Sequence, residues 1–457
     1  MMTVMQSPEP TVKGSRAAFE QHPTVVSLRG RPSLVPAPLT RARVEQLARD
    51  GGADDAGIVS IDHPDLKEEL PYLRQALPGV RSVISLVLGT HKEDIRSPAR
   101  SVANGEFHRV GERMDEIAAR VAQGLSQLGH ASLNPPMAFP MEMDAFPGRT
   151  WVVSHKKVAV AAQLGRMGLH RSVIHPRLGS FVLLATVLTE AEVEGEAEPL
   201  GFNPCVSCKL CVAACPVGAI EPEGAFHFSA CYDHNYREFM TGFGDVLEQV
   251  AESRDRHELR ERVPIAETAS LWQSLSYKPS YKAAYCIAVC PAGEEVMRPF
   301  LDDRAAFLRS VVKPLTSKEE PVYVVAGSDA EEHVRRRFPH KRLRVVQSSL
   351  RPTSARGFFA GLPLTFQRGP ARGLKATFHF ELLETDVIRA TVVIHDGVLT
   401  VHEGLVGDAD VYVSAATDVW LDIVTKKRSA VWALLTGRLK TKGNRSLLDR
   451  FGACFPR

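Results

Sequence analysis

The stretch CVSCKLCVAACP, Cys205 to Pro216, decides how this chain is read. Its spacing is Cys-x2-Cys-x2-Cys-x3-Cys-Pro. Three thiolates spaced this way wrap a tight loop around one iron–sulfur cube, and the fourth points away toward a second cluster. The competing readings are a zinc site or buried structural cysteines. Zinc sites use pairs of cysteines rather than a run of three with a fourth before proline.

A second stretch, YKAAYCIAVCP from Tyr281 to Pro291, repeats only the back half of that pattern. In two-cluster ferredoxins the last cysteine of one motif completes the cluster of the other. The first cluster is therefore expected on Cys205, Cys208, Cys211 and Cys290. The second would use Cys215 and Cys286, with Cys231 of HFSACYDHNY as the third thiolate. The position of a fourth holds Ala283. Three cysteines leave several options: a 3Fe–4S centre, a fourth iron held by another ligand such as His234, or a fourth iron open to substrate. The competing reading is a single 4Fe–4S cluster, with Cys231 and Cys286 as buried thiols.

The chain around these motifs has 457 residues, 44% of them hydrophobic and 24% charged, which suits a globular protein of two or three domains. A net charge of +3 is too small to argue for nucleic acid or an anionic membrane. No run of apolar residues is long enough for a transmembrane helix, and no secretory signal is evident. Seven of the eight cysteines fall between Cys205 and Cys290. Such crowding points to metal or redox chemistry in a cytoplasmic protein rather than to disulfides.

Residues 1–38 read as a flexible extension rich in Pro, Ser and Val. Thr40 to Gly52 reads as a capped helix, AGIVSI and RSVISLVLG as buried strands, and Val110 to His130 as a long amphipathic helix. Helix, Gly-rich turn and strand follow, so 39–198 is expected to be an α/β or α+β domain. Residues 199–300 form the cysteine domain, with the charged FGDVLEQVAESRDRHELRERV as an exposed excursion. Over 301–360, EPVYVVAG, SDAEEHVRRRF and KRLRVVQ predict a β-α-β element. Residues 361–457 open with alternating strands and end in helices around Trp420 and Trp432.

Cys205 to Pro216, a lone downstream cysteine and a closing Cys-Pro resemble the epoxyqueuosine reductase family, which shares its core with cobalamin-dependent reductive dehalogenases. VAVAAQLGRMGLHRSVIHPRLGSFVLLATVLTE, EFHRVGERMDEIAARVAQGL and the opening strands extend the resemblance over about residues 47–300. It implies a nitroreductase-like α/β domain that holds cobalamin beside a ferredoxin-like domain, with electrons passing from cluster to cluster to cofactor to substrate. An external donor such as a ferredoxin or flavodoxin would supply them. The cofactor carries the reduction and the protein positions it. The chain departs from the family at telling places. Arg149 stands where the family has its catalytic Asp, the nearest Asp being Asp144. His155 and Lys156 replace a Glu-Arg pair, while Arg166 and Leu169-His170 replace a Trp and a Lys-Asn. His155, His170 or Tyr285 could donate a proton instead. Arg149 and Lys156 could clamp an anion or the cofactor's periphery, and Gly165 and Gly168 belong to the motif implied to approach it.

The terminal part, about Phe366 to Phe455, resembles the sterol carrier protein domain. The matching features are a strand meander, the Asp396-Gly397 hairpin turn, the DVWLDIV helix and LLTGRLKTKG. The resemblance implies a five-stranded sheet with helices enclosing an apolar tunnel for a lipid or similar small molecule. Trp420, Ile423 and Leu434 could line it, or serve as plain core, and Cys454 reads as a buried small hydrophobe. Three functions fit: an iron–sulfur reductase acting on an apolar substrate, a ferredoxin-type electron carrier with a lipid-docking module, and a lipid-binding or sensing protein with structural clusters. The first is the primary expectation, because site chemistry rather than fold decides function.

Overall fold

The computed structural model describes residues 19–29, 36, 39–144, 146, 148–194 and 197–456. Most of the expected 1–38 extension lies outside these residues. Within it, Pro23–Leu28 forms a helix with no buried residue.

The first unit is built on four strands, in the order Asp55–Ser60, Ser82–Gly89, Val182–Thr189 and Ser132–Leu133. Every pairing among them is antiparallel, so of the two expected classes this unit is α+β. The Val- and Ile-rich strand at Ser82–Gly89 is buried on both faces. Ile84, Leu86 and Leu88 point to one core, and Val83 and Val87 to the other, as the two-residue period of a strand dictates. The first core is closed by the helix Arg41–Gly51 and the long helix Arg100–Gln127, the second by residues including Leu66, Leu73 and Val158. Thr40 caps the Arg41–Gly51 helix by accepting from the Arg43 N–H, and Gly52 ends it at φ 104°.

The long helix starts ten residues before the expected Val110. Its early turns face the cysteine region rather than the sheet. Asn104 grips the backbone of the second cysteine motif: its amide donates to the Tyr281 carbonyl at 3.1 Å and accepts from the Tyr281 N–H at 2.9 Å.

The cysteine region is mostly helical. Two short helices, Leu210–Ala214 and Tyr285–Ala288, pack together with Phe181, Phe307 and Leu315. The charged excursion forms the helices Gly242–Glu252 and Arg256–Arg262, the latter with no buried residue. A β-α-β element comes next. Pro321–Val325 and Arg342–Val346 pair in parallel around the helix Asp329–Arg337, which Ser328 caps.

The last unit is a five-stranded sheet, with Lys375–Leu383 at its centre between Val387–His395 and the parallel Val411–Ala416. Asp396 and Gly397 both have positive φ, 46° and 80°, as a two-residue hairpin turn requires. One face is covered by Phe358, Phe380, Trp420 and Phe451, whose rings meet edge-on or tilted. Cys454 is fully buried there, as expected. This unit is tied to the others. Gln367 Oε1 accepts from the Asp329 N–H at 2.9 Å, and the Gly369 N–H donates to Asp329 at 3.0 Å. Its first helix, Ala355–Thr365, packs near Phe228–Asn235 of the cysteine region.

Candidate metal centre and its cavity

The two short helices are entered alike. Lys209, before the first, is left-handed at φ 59°, ψ 17°, and Ala284, before the second, at φ 56°, ψ 22°. Each helix then carries a cysteine at its second residue, Cys211 or Cys286, and is followed by a Cys-Pro pair, Cys215-Pro216 or Cys290-Pro291. The folded chain thus repeats the motif in space, and Ala283 stands where the first copy has Cys208.

All eight cysteines are free thiols. Cys205 packs against Cys290, while Cys211, Cys215, Cys231 and Cys286 share another cluster of side chains. Electrostatics divide them in a similar way. Cys290 feels Cys208 and Cys205, whereas Cys286 feels Cys231 and Cys215. Cys211 lies between the groups, within range of Cys286, Cys290 and Cys208. Among the described residues no three His, Cys, Asp or Glu side chains converge on the point a single ion would occupy. Burial, then the neighbouring thiols, pushes Cys211 up to about 12; burial and Cys215 do the same to Cys231, against the pull of Lys156. A polynuclear cation reverses that balance, because thiolates bound to metal are stable where bare ones are not. The Ala219 N–H points at Cys215 Sγ from 3.2 Å, the kind of bond that tunes cluster potentials. These residues fit the group their spacing implies.

Cys215, Cys231, Cys286 and Ala283 also form part of the wall of a cavity of about 530 Å³. Its other walls come from the long helix (Phe107, His108, Gly111), from Met137 and Phe139, and from Tyr236 and Tyr281. Tyr281 meets Phe107 and Tyr236 edge-on, with ring centres 5.8 and 5.7 Å apart. The space suits a drug-sized molecule by volume and lining. A second cavity, also about 530 Å³, shares Phe139 and Tyr232 with it and is lined by Met141, Met143 and Met240.

Only some of the other expected site residues reach this space. His170 lines the cavity, and its Nε2 has no hydrogen-bond partner. Its Nδ1 accepts from the Ser172 N–H at 3.1 Å, which leaves the ring proton on Nε2. Burial, then the nearby Lys156 ammonium, lowers its pKa to about 4, so the ring is neutral near pH 7. Lys156 lines the cavity too, and its Nζ donates to the Arg171 carbonyl at 2.8 Å. Tyr285 borders the cavity, but its hydroxyl is committed to Glu320 at 2.8 Å.

The remaining expectations need correction. His155 is not a free acid: its ring nitrogens meet Thr186 Oγ1 at 2.9 Å and the Pro136 carbonyl at 3.1 Å. Arg149 is engaged within the protein. It is held by Glu69 at 2.5 Å and by the carbonyls of Val152 and Trp151, and it covers the Tyr72 ring. Gly165 and Gly168 have a packing role of their own. They belong to a tight hairpin, Arg166–Met167 against Val173–Ile174, in which a Cβ on Gly165 would lie 2.4 Å from the Ile174 carbonyl oxygen. Of the four residues expected to bind an anion or cofactor, Lys156 lines the cavity and Gly168 lies beside the cavity residue His170. His234 lines the cavity, but its Nδ1 accepts from the Tyr323 N–H at 3.3 Å, so the neutral ring offers N–H rather than a lone pair on Nε2. Sequence reasoning missed Tyr236, whose phenol lies within electrostatic range of Cys231 and Cys286.

A four-cysteine segment set against a cavity, with a separate sheet domain behind it, defines an iron–sulfur protein with an appended carrier-type domain. Residues 202–221 match the 4Fe-4S binding domain family, and residues 367–456 match the SCP-2 sterol transfer family. The chain is similar to the epoxyqueuosine reductase of Gloeobacter violaceus, 31% identical over 152 residues, which are 33% of this chain and 44% of that protein. It thus spans less than half the length of that relative. Among solved structures, an epoxyqueuosine reductase from Streptococcus thermophilus aligns with TM-score 0.29 and 16% identity, covering 40% of this chain and 54% of the other. A reductive dehalogenase described as B12-dependent aligns with TM-score 0.36 and 17% identity, covering 56% of this chain and 40% of the other. No described helix is long and apolar enough to cross a membrane.

Proposed function

We propose that this protein is an iron–sulfur oxidoreductase that delivers electrons into the cavity beside Cys215, Cys231 and Cys286 and reduces a small apolar molecule held there. The observation that carries the reading is the double character of that wall. The same 530 Å³ space is bounded by three candidate ligand thiols and by aromatic side chains. A cluster on these thiols would fill part of the cavity, and the aromatic side is left for a small apolar molecule, which a carrier that only hands electrons on does not need.

Cys205, Cys208, Cys211 and Cys290 hold the first cluster, and Cys215, Cys231 and Cys286 the second. When bound, such clusters supply single electrons at potentials set by hydrogen bonds and burial. The chain's own residues do the rest. Phe107, Tyr236 and Tyr281 exclude water and orient an apolar body. Lys156 favours negative charge, and the unpartnered His170 N–H and the Tyr236 phenol are placed to donate hydrogen bonds to the bound molecule, while the proton itself comes from solvent. The neighbouring Met-lined cavity gives room for a longer substrate. The SCP-2 domain binds the apolar molecule or its carrier form. The functional units are taken as 39–198, 199–300, 301–360 and 361–457. An external one-electron donor such as a ferredoxin or flavodoxin completes the chain, in a cytoplasm that keeps the thiols reduced.

Anaerobic purification tests the reading. Metal and sulfide analysis, a visible spectrum and extraction for corrinoid are expected to give two clusters. Dithionite-reduced protein is expected to oxidise when an apolar acceptor enters the cavity. Protein that carries two clusters and exchanges electrons with ferredoxin, but protects no cavity residue from labelling by any apolar acceptor, would be a carrier instead.

A further inference from the structure

The repeated entry to the two cysteine helices fixes where a thiolate is missing. Cys208 precedes the left-handed Lys209, and Ala283 precedes the left-handed Ala284. Ala283 is 7% exposed, its N–H is held by Asn235 Oδ1 at 2.9 Å, and it forms part of the cavity wall together with Cys215, Cys231 and Cys286. The gap in the ligand set therefore faces the room in which a small molecule would sit. Nearby side chains do not fill it well. His234 and His170 each have Nδ1 occupied by a backbone N–H and so present N–H donors. Lys156 is a cation with its ammonium bound to a carbonyl. Asn235 uses its side-chain oxygen on Ala283 itself.

We propose that one iron of the second cluster has no protein ligand and opens into this cavity, where it takes an anionic oxygen-donor group of the substrate. This rests on the two-cluster reading above. The donor class follows from the surroundings. Iron of a cluster accepts hard oxygen donors where a thiolate is absent, Lys156 balances negative charge, and the His170 N–H can bind the second oxygen. The aromatic walls accommodate the apolar remainder, so the ligand class is a carboxylate or similar oxyanion on an apolar body.

The test uses the full chain reconstituted anaerobically with 57Fe, as wild type, Ala283→Cys and Tyr236→Phe. Wild type is expected to hold about eight irons per chain, as two 4Fe–4S clusters require, with one iron giving a distinct Mössbauer doublet. Cyanide and benzoate, added separately, are expected to shift the resonance of the reduced second cluster. Tyr236→Phe should keep the distinct doublet, and Ala283→Cys should lose the distinct doublet and both responses. About four irons per chain would defeat the two-cluster reading itself. About eight irons with no distinct doublet and no response to cyanide would overturn the open site alone. So would a 3Fe–4S signal that takes up no further iron, or loss of the distinct doublet in Tyr236→Phe. A response to cyanide but not to benzoate would overturn the oxygen-donor assignment. The wild-type measurements decide the matter even where Ala283→Cys fails to fold.

Discussion

Arg149 Nη2 lies 2.5 Å from Glu69 Oε2, and the Glu69 side chain is only 1% exposed. Lys157 reaches the same carboxylate at 3.2 Å. Burial pushes the Glu69 carboxyl up, but hydrogen bonds from Arg149 and the Ser154 N–H outweigh it and leave it below its ordinary 4.5. A depressed carboxylate contributes stability that is present above the unfolded value and is lost as pH falls through the folded one. Acid unfolding of wild type should therefore steepen below about pH 4.5, and Glu69→Gln should flatten that limb. Arg149→Met should cost about 1.5–3 kcal/mol, because the buried Glu69 loses a charged hydrogen bond but keeps Lys157 and the Ser154 N–H. It should leave cluster spectra unchanged. A loss of cluster absorbance without loss of stability would return Arg149 to the site.

Gly165→Ala offers a second separation of packing from cofactor binding. The new methyl would meet the Ile174 carbonyl at 2.4 Å, backbone that cannot step aside easily. Overpacking of this kind costs about 1–3 kcal/mol. The unfolding free energy from denaturant titration should fall by that amount while iron and sulfide content stays constant.

The two thiol groups should fail independently. Cys290→Ala is expected to remove the first cluster and Cys231→Ala the second, each lowering iron by about half. Spin counting on the reduced variants checks this. If Cys231→Ala leaves both clusters intact, the second one does not use that thiol.

His170 gives a pH signature of opposite chemistry to its own charge. With a folded value of about 4 against an ordinary 6.5, the unfolded state binds the proton first. Stability should decline as pH drops from about 6.5 toward 4 and be insensitive to this group above that window. His170→Gln should flatten the decline, measured by urea midpoints across the range.

The parts of the fold legible from sequence are those whose partners lie close by in the pattern. Val83 to Leu88 announce a strand by composition, and Asp396-Gly397 announces a turn by backbone demand. Cys205 to Pro216 announces a cluster because metal ligation fixes spacing. The start of the long helix was not legible, since Arg100, Asn104 and Glu106 are polar yet buried. Their partners include the Ile95 carbonyl, the Tyr281 backbone and the His91 N–H, and the last two depend on tertiary contacts. The same holds at the site. Tyr236 sits in a stretch chosen for Cys231, and nothing in its neighbours' spacing says that its ring will border a cavity. Arg149 and His155 looked free because the sequence does not show Glu69, Thr186 or the Pro136 carbonyl beside them.

Asp329 bonds at once to the Gln367 side chain and the Gly369 N–H, and the consequence is mechanical. These bonds join the sheet domain to the β-α-β element in addition to the chain that links them. Helix Ala355–Thr365 and the β-α-β element bolt it to the same scaffold that carries Cys231, through the Ser349 hydroxyl and Asp233, 3.0 Å apart. The sheet domain is thus braced against the cysteine region by side-chain joints at Asp329 and Asp233, not by chain connectivity alone.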